Sequence, residues 1–397
     1  MKKILLIVSL ILWVNLSAQN EAANWYFGQN AGIQFDNTGN LIGSIDGGQL
    51  STLEGCTTIS DTNGNLLFYT DGTLVYNRNH QLMPNGTGLF GDPSSTQSAL
   101  VVPQPGNDTF YYIFTVDTTI GGGDPDFGFN YSIVDINLDG GLGDVTSKNV
   151  NLLQDSSEKI TAVLKDCASQ SIWVITLASI DGTGGPFNTY HAFEVSTTGI
   201  NLTSVKSTFP FPISDARGQI KVSPDGKKFA SANMGSGLFL YDFDAATGIV
   251  SNQQNLSVTS FSNSPYGVEF SQNSLRLYVN SSNDANATGP PNIHQSTLTQ
   301  FDLAAADIQN SQFVLDQRQL FRGSLQLAAD GKIYRALSAN YTTGLPFLGV
   351  IENPDAIGAA VVYTHNAVDL SPNLSTQGLP PFNNPSLTIR LISFKME

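Results

Sequence analysis

Apolar and polar positions along the chain change places in short runs, and the period is close to two almost everywhere. The stretch 217–250, RGQIKVSPDGKKFASANMGSGLFLYDFDAATGIV, sets the pattern. Ile220 and Val222 mark a short strand, and Ser223-Pro224-Asp225-Gly226 is a turn in which proline suits the early position and glycine supplies a positive φ. Lys228 to Ala232 resumes the strand, and Gly235-Ser236-Gly237 turns it again. Leu238 to Phe243 alternates apolar with polar residues, the pattern expected of a half-buried strand. A further turn leads into a strand beginning at Ile249. Four short antiparallel strands in so little sequence describe one blade of a propeller.

The rest of the chain repeats this order. Strand-opening runs stand at 56–60, 98–102, 160–164, 218–222, 267–270 and 324–327, spaced by roughly 40 to 60 residues, the range of propeller repeats. Most are followed by an aromatic-rich second strand: LLFYT at 66–70, FYYIFTV at 110–116, IWVIT at 172–176, LRLYVN at 275–280 and KIYRAL at 332–337. Several continue into a third strand that ends on an acid, among them NYSIVDI at 130–136 and YHAFEV at 190–195. The N-terminal piece NWYFGQNAGIQFD, 24–36, adds two more strands, which either complete the last blade or begin a seventh. The only helical candidate, 303–309, spans one or two turns. The expectation is therefore an all-β chain folded as a single β-propeller. Seven blades of roughly 54 residues fit the spacing and six remain open. A β-sandwich would leave the repeated order unexplained.

The first residues, MKKILLIVSLILWVNLSAQN, join a basic start at Lys2 and Lys3 to an apolar run at 4–14 and small residues at 15–18. They read as a secretory signal peptide cut after Ala18, the run being shorter than the ~20 residues of a bilayer span. The domain reading is a leader at 1–18, one propeller at 19–382 and an atypical tail at 383–397, with the mature protein exported, secreted or at the cell surface, and lacking an integral membrane segment. Eighteen basic residues stand against 33 acidic ones, a formal net charge of −15, so nucleic acid and anionic membranes are poor partners. Two cysteines, Cys56 and Cys167, fall in different predicted sheets and read as separate thiols rather than a disulfide.

Candidate chemistry is sparse. His80, His191, His294 and His365 lie in different blades without metal-ligand spacing, and no nucleophile elbow or P-loop occurs. The segment 135–146, DINLDGGLGDVT, places Asp135, Asn137 and Asp139 like the early ligands of a calcium loop, but Thr146 stands where the closing glutamate belongs; a hairpin turn explains the same residues. Asp124 and Asp126, in a glycine-rich loop, are two further carboxylates for calcium, the cation an oxygen-rich exported site would take. Paired acids for glycoside hydrolysis would need a shared cleft, and spacing cannot choose a pair such as Glu54 and Asp71. Trp25, Tyr26, Trp173 and Tyr190 fit blade packing better than a sugar platform. The long loops 118–129, 180–189 and 281–296 each follow an aromatic second strand, so all three should rise on one face as a rim around the channel mouth. Asp124, Asp126, Asp181, Asn188, Asn283, Asp284 and Asn292 are the ligand-binding candidates there.

The stretches 24–36, 94–106 and, above all, EGCTTISDTNGNLLFYTDGTLVYNRNHQLMPNG at 54–86 resemble the N-terminal β-propeller region of exported proteins that carry a type IX secretion (type B) sorting, gliding-motility-associated C-terminal domain. SPDGKKFA resembles the blade signature of WD-repeat-like and Tol-B-like propellers. The resemblance implies a binding or adhesion scaffold, for a protein or glycan, outside the cell. The sorting domain does not follow QGLPPF at 377–382, so a truncated frame and a free-standing propeller are both open. The alternative function is a secreted glycan lyase or hydrolase with acids at the channel mouth.

Overall fold

The computed structural model describes residues 20–118, 126–166, 168–260 and 262–382. Their strands form seven antiparallel sheets, and the protein is a seven-bladed β-propeller. Blade 5 shows how local sequence builds the unit. Its strands are Ile220–Val222, Lys228–Asn233, Gly237–Asp244 and Ile249–Leu256, hydrogen-bonded in that order. In the first turn the Ser223 hydroxyl donates to Asp225 Oδ1 (2.6 Å) and accepts from Lys228 N–H (2.9 Å), and Gly226 takes a φ of 64°. Blade 6 repeats the device. Ser271 donates to Asn273 and accepts from Arg276 N–H, with Ser274 at a φ of 63° in place of glycine.

The half-buried reading of 238–243 needs correcting, because both faces of that strand are covered. Phe239, Tyr241 and Phe243 pack toward Trp173, Ile175 and Tyr190 of blade 4, while Leu238 and Leu240 pack toward Val268, Leu277 and Val279 of blade 6. A strand sends alternate side chains to opposite faces, and in a propeller each face meets a neighbouring blade. The core is thus a set of layers between blades, and stability comes from stacking.

Blades 2, 3, 4, 6 and 7 begin with the inner strands Thr57–Ser60, Ala99–Pro103, Ile160–Leu164, Ser264–Phe270 and Leu325–Leu327. Blade 1 is shared between the chain ends. Its outer three strands are Asn24–Phe27, Ala31–Phe35 and Leu41–Ser44, one more than the sequence pattern predicts. The segment 374–379 supplies the inner position: Gln29 and Leu374 exchange backbone hydrogen bonds, Ser324 N–H donates to Gln377 O (2.7 Å) and Gln377 N–H donates to Leu53 O (3.1 Å). Trp25 seals the seam, with the rings of Phe35, Tyr334 and Phe382 centred 5.4–5.5 Å away. Closure leaves the ring without an open inter-blade edge. The helical candidate at 303–309 is turn, followed by a single 3₁₀ turn, Gln309–Ser311.

Cys56 is a buried free thiol, and burial, aided by the Asp71 charge, pushes it far above its usual value; Cys167 lies outside the described residues.

Candidate functional site: the closed axis and the loop face

Within each blade the connection from the second strand to the third emerges on the face where the inner strands begin. The connections after Val116, Ala178 and Ser282 are all of this kind, and their described residues, 117–118 with 126–128, 179–186 and 283–295, share one face. The ring axis beneath them is crossed by side chains instead of being open. Polar side chains at the inner-strand starts of six blades meet at the axis, and blade 5 joins them through the Gly218 N–H. Glu54 of blade 2 pairs with Arg322 of blade 7 (2.8 Å), both at most 3 % exposed, and accepts the Tyr266 hydroxyl of blade 6 (2.5 Å). Arg322 Nε donates to Gln377 of blade 1 (2.7 Å), and its guanidinium lies 5.0 Å from the ring centres of Tyr266 and Phe321. Thr96 of blade 3 bonds Glu158 of blade 4 and accepts Gly218 N–H of blade 5 (3.1 Å). All seven blades join this one network.

One level down, amides cap the buried inner edges. Gln97 Oε1 accepts from Ile160 N–H and Ile220 N–H, and Gln219 Oε1 accepts from Val268 N–H and Leu325 N–H. Lys221 and Glu269 form a second buried pair (2.8 Å) at this depth. Buried polar groups that find partners across a ring both satisfy their desolvation and fix the geometry.

The electrostatics follow from burial. Glu158 is pushed up to about 7 by desolvation and by Glu54, with Thr96 and Arg322 opposing. Tyr266 is pushed well above its ordinary value by burial and by Glu54. Burial pushes Lys159 down to about 7, while the carbonyls of Arg217, Gly218 and Ala232 (2.7–2.8 Å) use all three of its N–H donors and favour the charged form. Lys159→Met strands those carbonyls, and the expected cost is about 3 kcal/mol, read from urea unfolding followed by circular dichroism.

The sequence-predicted residues fall as follows. Asp124 lies outside the described residues. Asp126 is exposed, accepts Gly128 N–H (2.9 Å) and stands beside Asp155, whose carboxyl is pushed up to about 6 by burial and by Asp126. Asp181 is exposed and held low by Thr183 and Ser179. Asn188 accepts the Thr189 hydroxyl (3.0 Å). Asn283 closes the base of its loop by bonding Ile293 O and Gln295 N–H. Asp284 lies 3.6 Å from Arg217, which is also paired with Asp215 at 2.5 Å. Asn292 is exposed in the 3₁₀ turn Pro291–Ile293. The structure thus joins Asp284 to Arg217 and Asp126 to Asp155; Asn283 and Asn292 share the loop 283–295 with Asp284, Asp181 lies in the loop 179–186, and Asn188 lies in the strand Phe187–Ser196. Asp135, Asn137 and Asp139 lie in a third-to-fourth-strand turn on the opposite face, where Asp135 accepts Asn137 N–H (3.0 Å). Among the described residues no group of three or more His, Cys, Asp or Glu side chains gathers as for a metal.

Glu54 and Asp71 serve different ends: Asp71 Oδ1 is taken by Thr73 N–H, the Thr73 hydroxyl and Leu74 N–H. The partner acid of Glu54 is Glu158. The histidines remain apart. His80 bonds the Tyr69 hydroxyl, His191 bonds Ser204 and Ser179 O, and His294 packs edge-on to Phe321. Trp25, Tyr26, Trp173 and Tyr190 are all buried between blades.

No family model matches the sequence, and no curated relative matches it. Among solved structures the chain is similar to a GH74 enzyme of Niastella koreensis at 12 % identity and a TM-score of 0.40, covering 72 % of this chain and 38 % of that one. It is also similar to a candidate 6-phosphogluconolactonase of Bacteroides fragilis, at 12 % identity and a TM-score of 0.39, covering 81 % and 95 %. A third similarity is to the extracellular domain of a candidate one-component system from B. thetaiotaomicron, at 12 % identity and a TM-score of 0.40, covering 88 % and 34 %. The chain therefore spans under two fifths of the GH74 enzyme's length. No helix among the described residues is long and apolar enough to cross a membrane.

Proposed function

We propose that this protein is an exported, non-catalytic binding or adhesion scaffold whose ligand, a protein or a glycan, is held by the loops 117–128, 179–186 and 283–295. One observation carries the reading: the described residues of these connections gather on one face, above an axis whose charged side chains are buried and bonded to one another. A rigid ring presenting adaptable polar loops is a binding architecture. Export rests on the leader, Lys2, Lys3 and the apolar run 4–14; a link to type IX secretion and gliding motility rests on the resemblance of 54–86; calcium is the cation proposed for Asp124 and Asp126.

The alternative, a secreted carbohydrate-active enzyme, draws on the two carboxylates Glu54 and Glu158 that meet at the Thr96 hydroxyl. Both are 1 % exposed, which favours the scaffold, since an acid that protonates or attacks a glycosidic bond must reach it.

The test expresses the whole chain in a bacterium of the exporting type, with an N-terminal sequence read on the mature product and a glycan and protein binding screen. A product starting at Gln19 outside the cell, with binding that Asn283→Ala and Asp284→Ala weaken at least tenfold, supports the proposal. Retention inside the cell, or binding indifferent to every rim-loop variant, overturns it.

A further inference from the structure

The Thr96 hydroxyl stands between two buried acids. Its Oγ1 is 2.9 Å from Glu158 Oε2 and 3.4 Å from Glu54 Oε2, and it also accepts Gly218 N–H. A hydroxyl has one hydrogen to give, so it can serve only one of two carboxylates. Glu54 is otherwise supplied, by Arg322 on Oε1 and the Tyr266 hydroxyl on Oε2. Among the described residues the Glu158 carboxylate bonds Thr96 alone, through the hydroxyl and the backbone N–H (3.0 Å).

The surrounding charges do not make up the difference. Among the described residues Arg322 is the single guanidinium bonded within the pair. Lys159 spends its ammonium on three carbonyls, and Arg217 is bound to Asp215 and Asp284. With both acids ionised, one Thr96 contact sets oxygen lone pairs against each other in a place water barely reaches, a costly arrangement. A proton on Glu158 removes the conflict. Glu158 O–H donates to Thr96 Oγ1, and Thr96 O–H turns to donate to Glu54 Oε2.

We infer that Glu158, Thr96 and Glu54 form a proton-operated clasp across blades 2, 3 and 4, closed when Glu158 carries the proton and loosened when it does not. The clasp is wired to the loop face by the connection 154–159. Gln97 N–H donates to Glu158 O, and Gln154 N–H and Asp155 N–H both donate to Gly182 O of the second rim loop. Asp155 stands beside Asp126 of the first rim loop. Opening the clasp therefore frees the footing of two rim loops, whatever they bind.

The sign of the pH dependence is fixed by Glu158. The folded state keeps a proton that an unfolded glutamate releases near pH 4.5, so this group's contribution to stability falls as pH rises from there through about 7. Two measurements test the clasp. In hydrogen exchange, corrected for the intrinsic rate, wild-type peptides covering 94–98 and 154–160 should exchange several-fold faster at about pH 8.5 than at about pH 5.5. Glu158→Gln, whose amide can donate to Thr96 at every pH, should show no such rise. In ¹³Cδ-glutamate NMR of the wild-type protein, which has seven glutamates, one carboxyl should titrate above pH 6 and vanish from the spectrum of Glu158→Gln. An equal rise in exchange in the variant overturns the inference. So does a wild-type spectrum in which no glutamate titrates above pH 6, a result that stands even if the variant fails to fold.

Discussion

Arg322→Ala is expected to lower the unfolding free energy by about 3–5 kcal/mol, the cost of leaving one member of a buried ion pair without its partner. Glu54 is 1 % exposed and would keep only the Tyr266 hydroxyl and the distant Thr96 contact. The change also removes the guanidinium stacked near Tyr266 and Phe321 and its bond to Gln377, which ties the C-terminal segment to the axis. The pair's own worth is smaller than this loss, because much of it comes from stranding a carboxylate. A double-mutant cycle separates the two. Glu54→Gln together with Arg322→Ala should recover at least 1 kcal/mol relative to the sum of the single variants, measured by urea unfolding. Additive losses would mean that the two side chains stabilise the ring independently.

The blade repeat was legible because its second strands are buried on both faces and so carry dense aromatic runs. Leu66–Thr70 and Phe110–Val116 are read residue for residue from the apolar pattern. The outer strands were less so. Leu82–Thr87, LMPNGT, contains Pro and Asn and reads as a turn, while the neighbouring strand supplies the pairing. Ile249–Leu256, IVSNQQNL, shows its start in Ile249 and Val250, but its Asn and Gln hide its extent. The inner segment of blade 1 was hidden for another reason. Leu374-Ser375-Thr376-Gln377-Gly378-Leu379 acquires its role only when the ring brings it beside Gln29 and Leu53, contacts more than 300 residues apart in sequence.

The axial network had a visible trace. A bulky polar or aromatic residue stands directly before glycine at Glu54-Gly55, Arg217-Gly218, Tyr266-Gly267, Arg322-Gly323 and Gln377-Gly378. Each pair opens an inner strand, so one repeat position carries both the reaching side chain and the residue that lets the backbones approach. Sequence spacing shows the recurrence but not the convergence, and for that reason Glu54 was weighed against Asp71, close in sequence, instead of Glu158 and Arg322, which the ring brings to it. Counting strands assigns the second-to-third-strand connections to one face, and the described residues of those connections lie there. Their partners, Arg217 for Asp284 and Asp155 for Asp126, came from connections between the fourth strand of one blade and the first of the next, segments too short to attract notice.

The glycine half of that repeat sets the second large effect. A Cβ on Gly378 would lie 1.6 Å from Glu54 O and 2.4 Å from its carbonyl carbon. Those are backbone atoms at the start of blade 2, and they cannot swing aside as a side chain would. Gly378→Ala should therefore unseat the segment 374–382, with loss of the Gln377 bonds to Leu53 and Ser324, the Arg322–Gln377 bond and the packing of Phe382 on Trp25. The expected cost is about 5 kcal/mol, the range of substitutions that force close-packed backbone apart, together with rapid limited proteolysis within 370–382. Gly267 is the comparison: its Cβ would meet Gly323 O at 2.4 Å, a seam between blades 6 and 7 held by continuous chain on both sides. Gly267→Ala should also destabilise the protein while leaving 370–382 protected. If both variants expose the C-terminal segment equally, the ring opens by general loosening. If only Gly378→Ala does, the closure of the propeller depends on the one blade whose strands come from both ends of the chain.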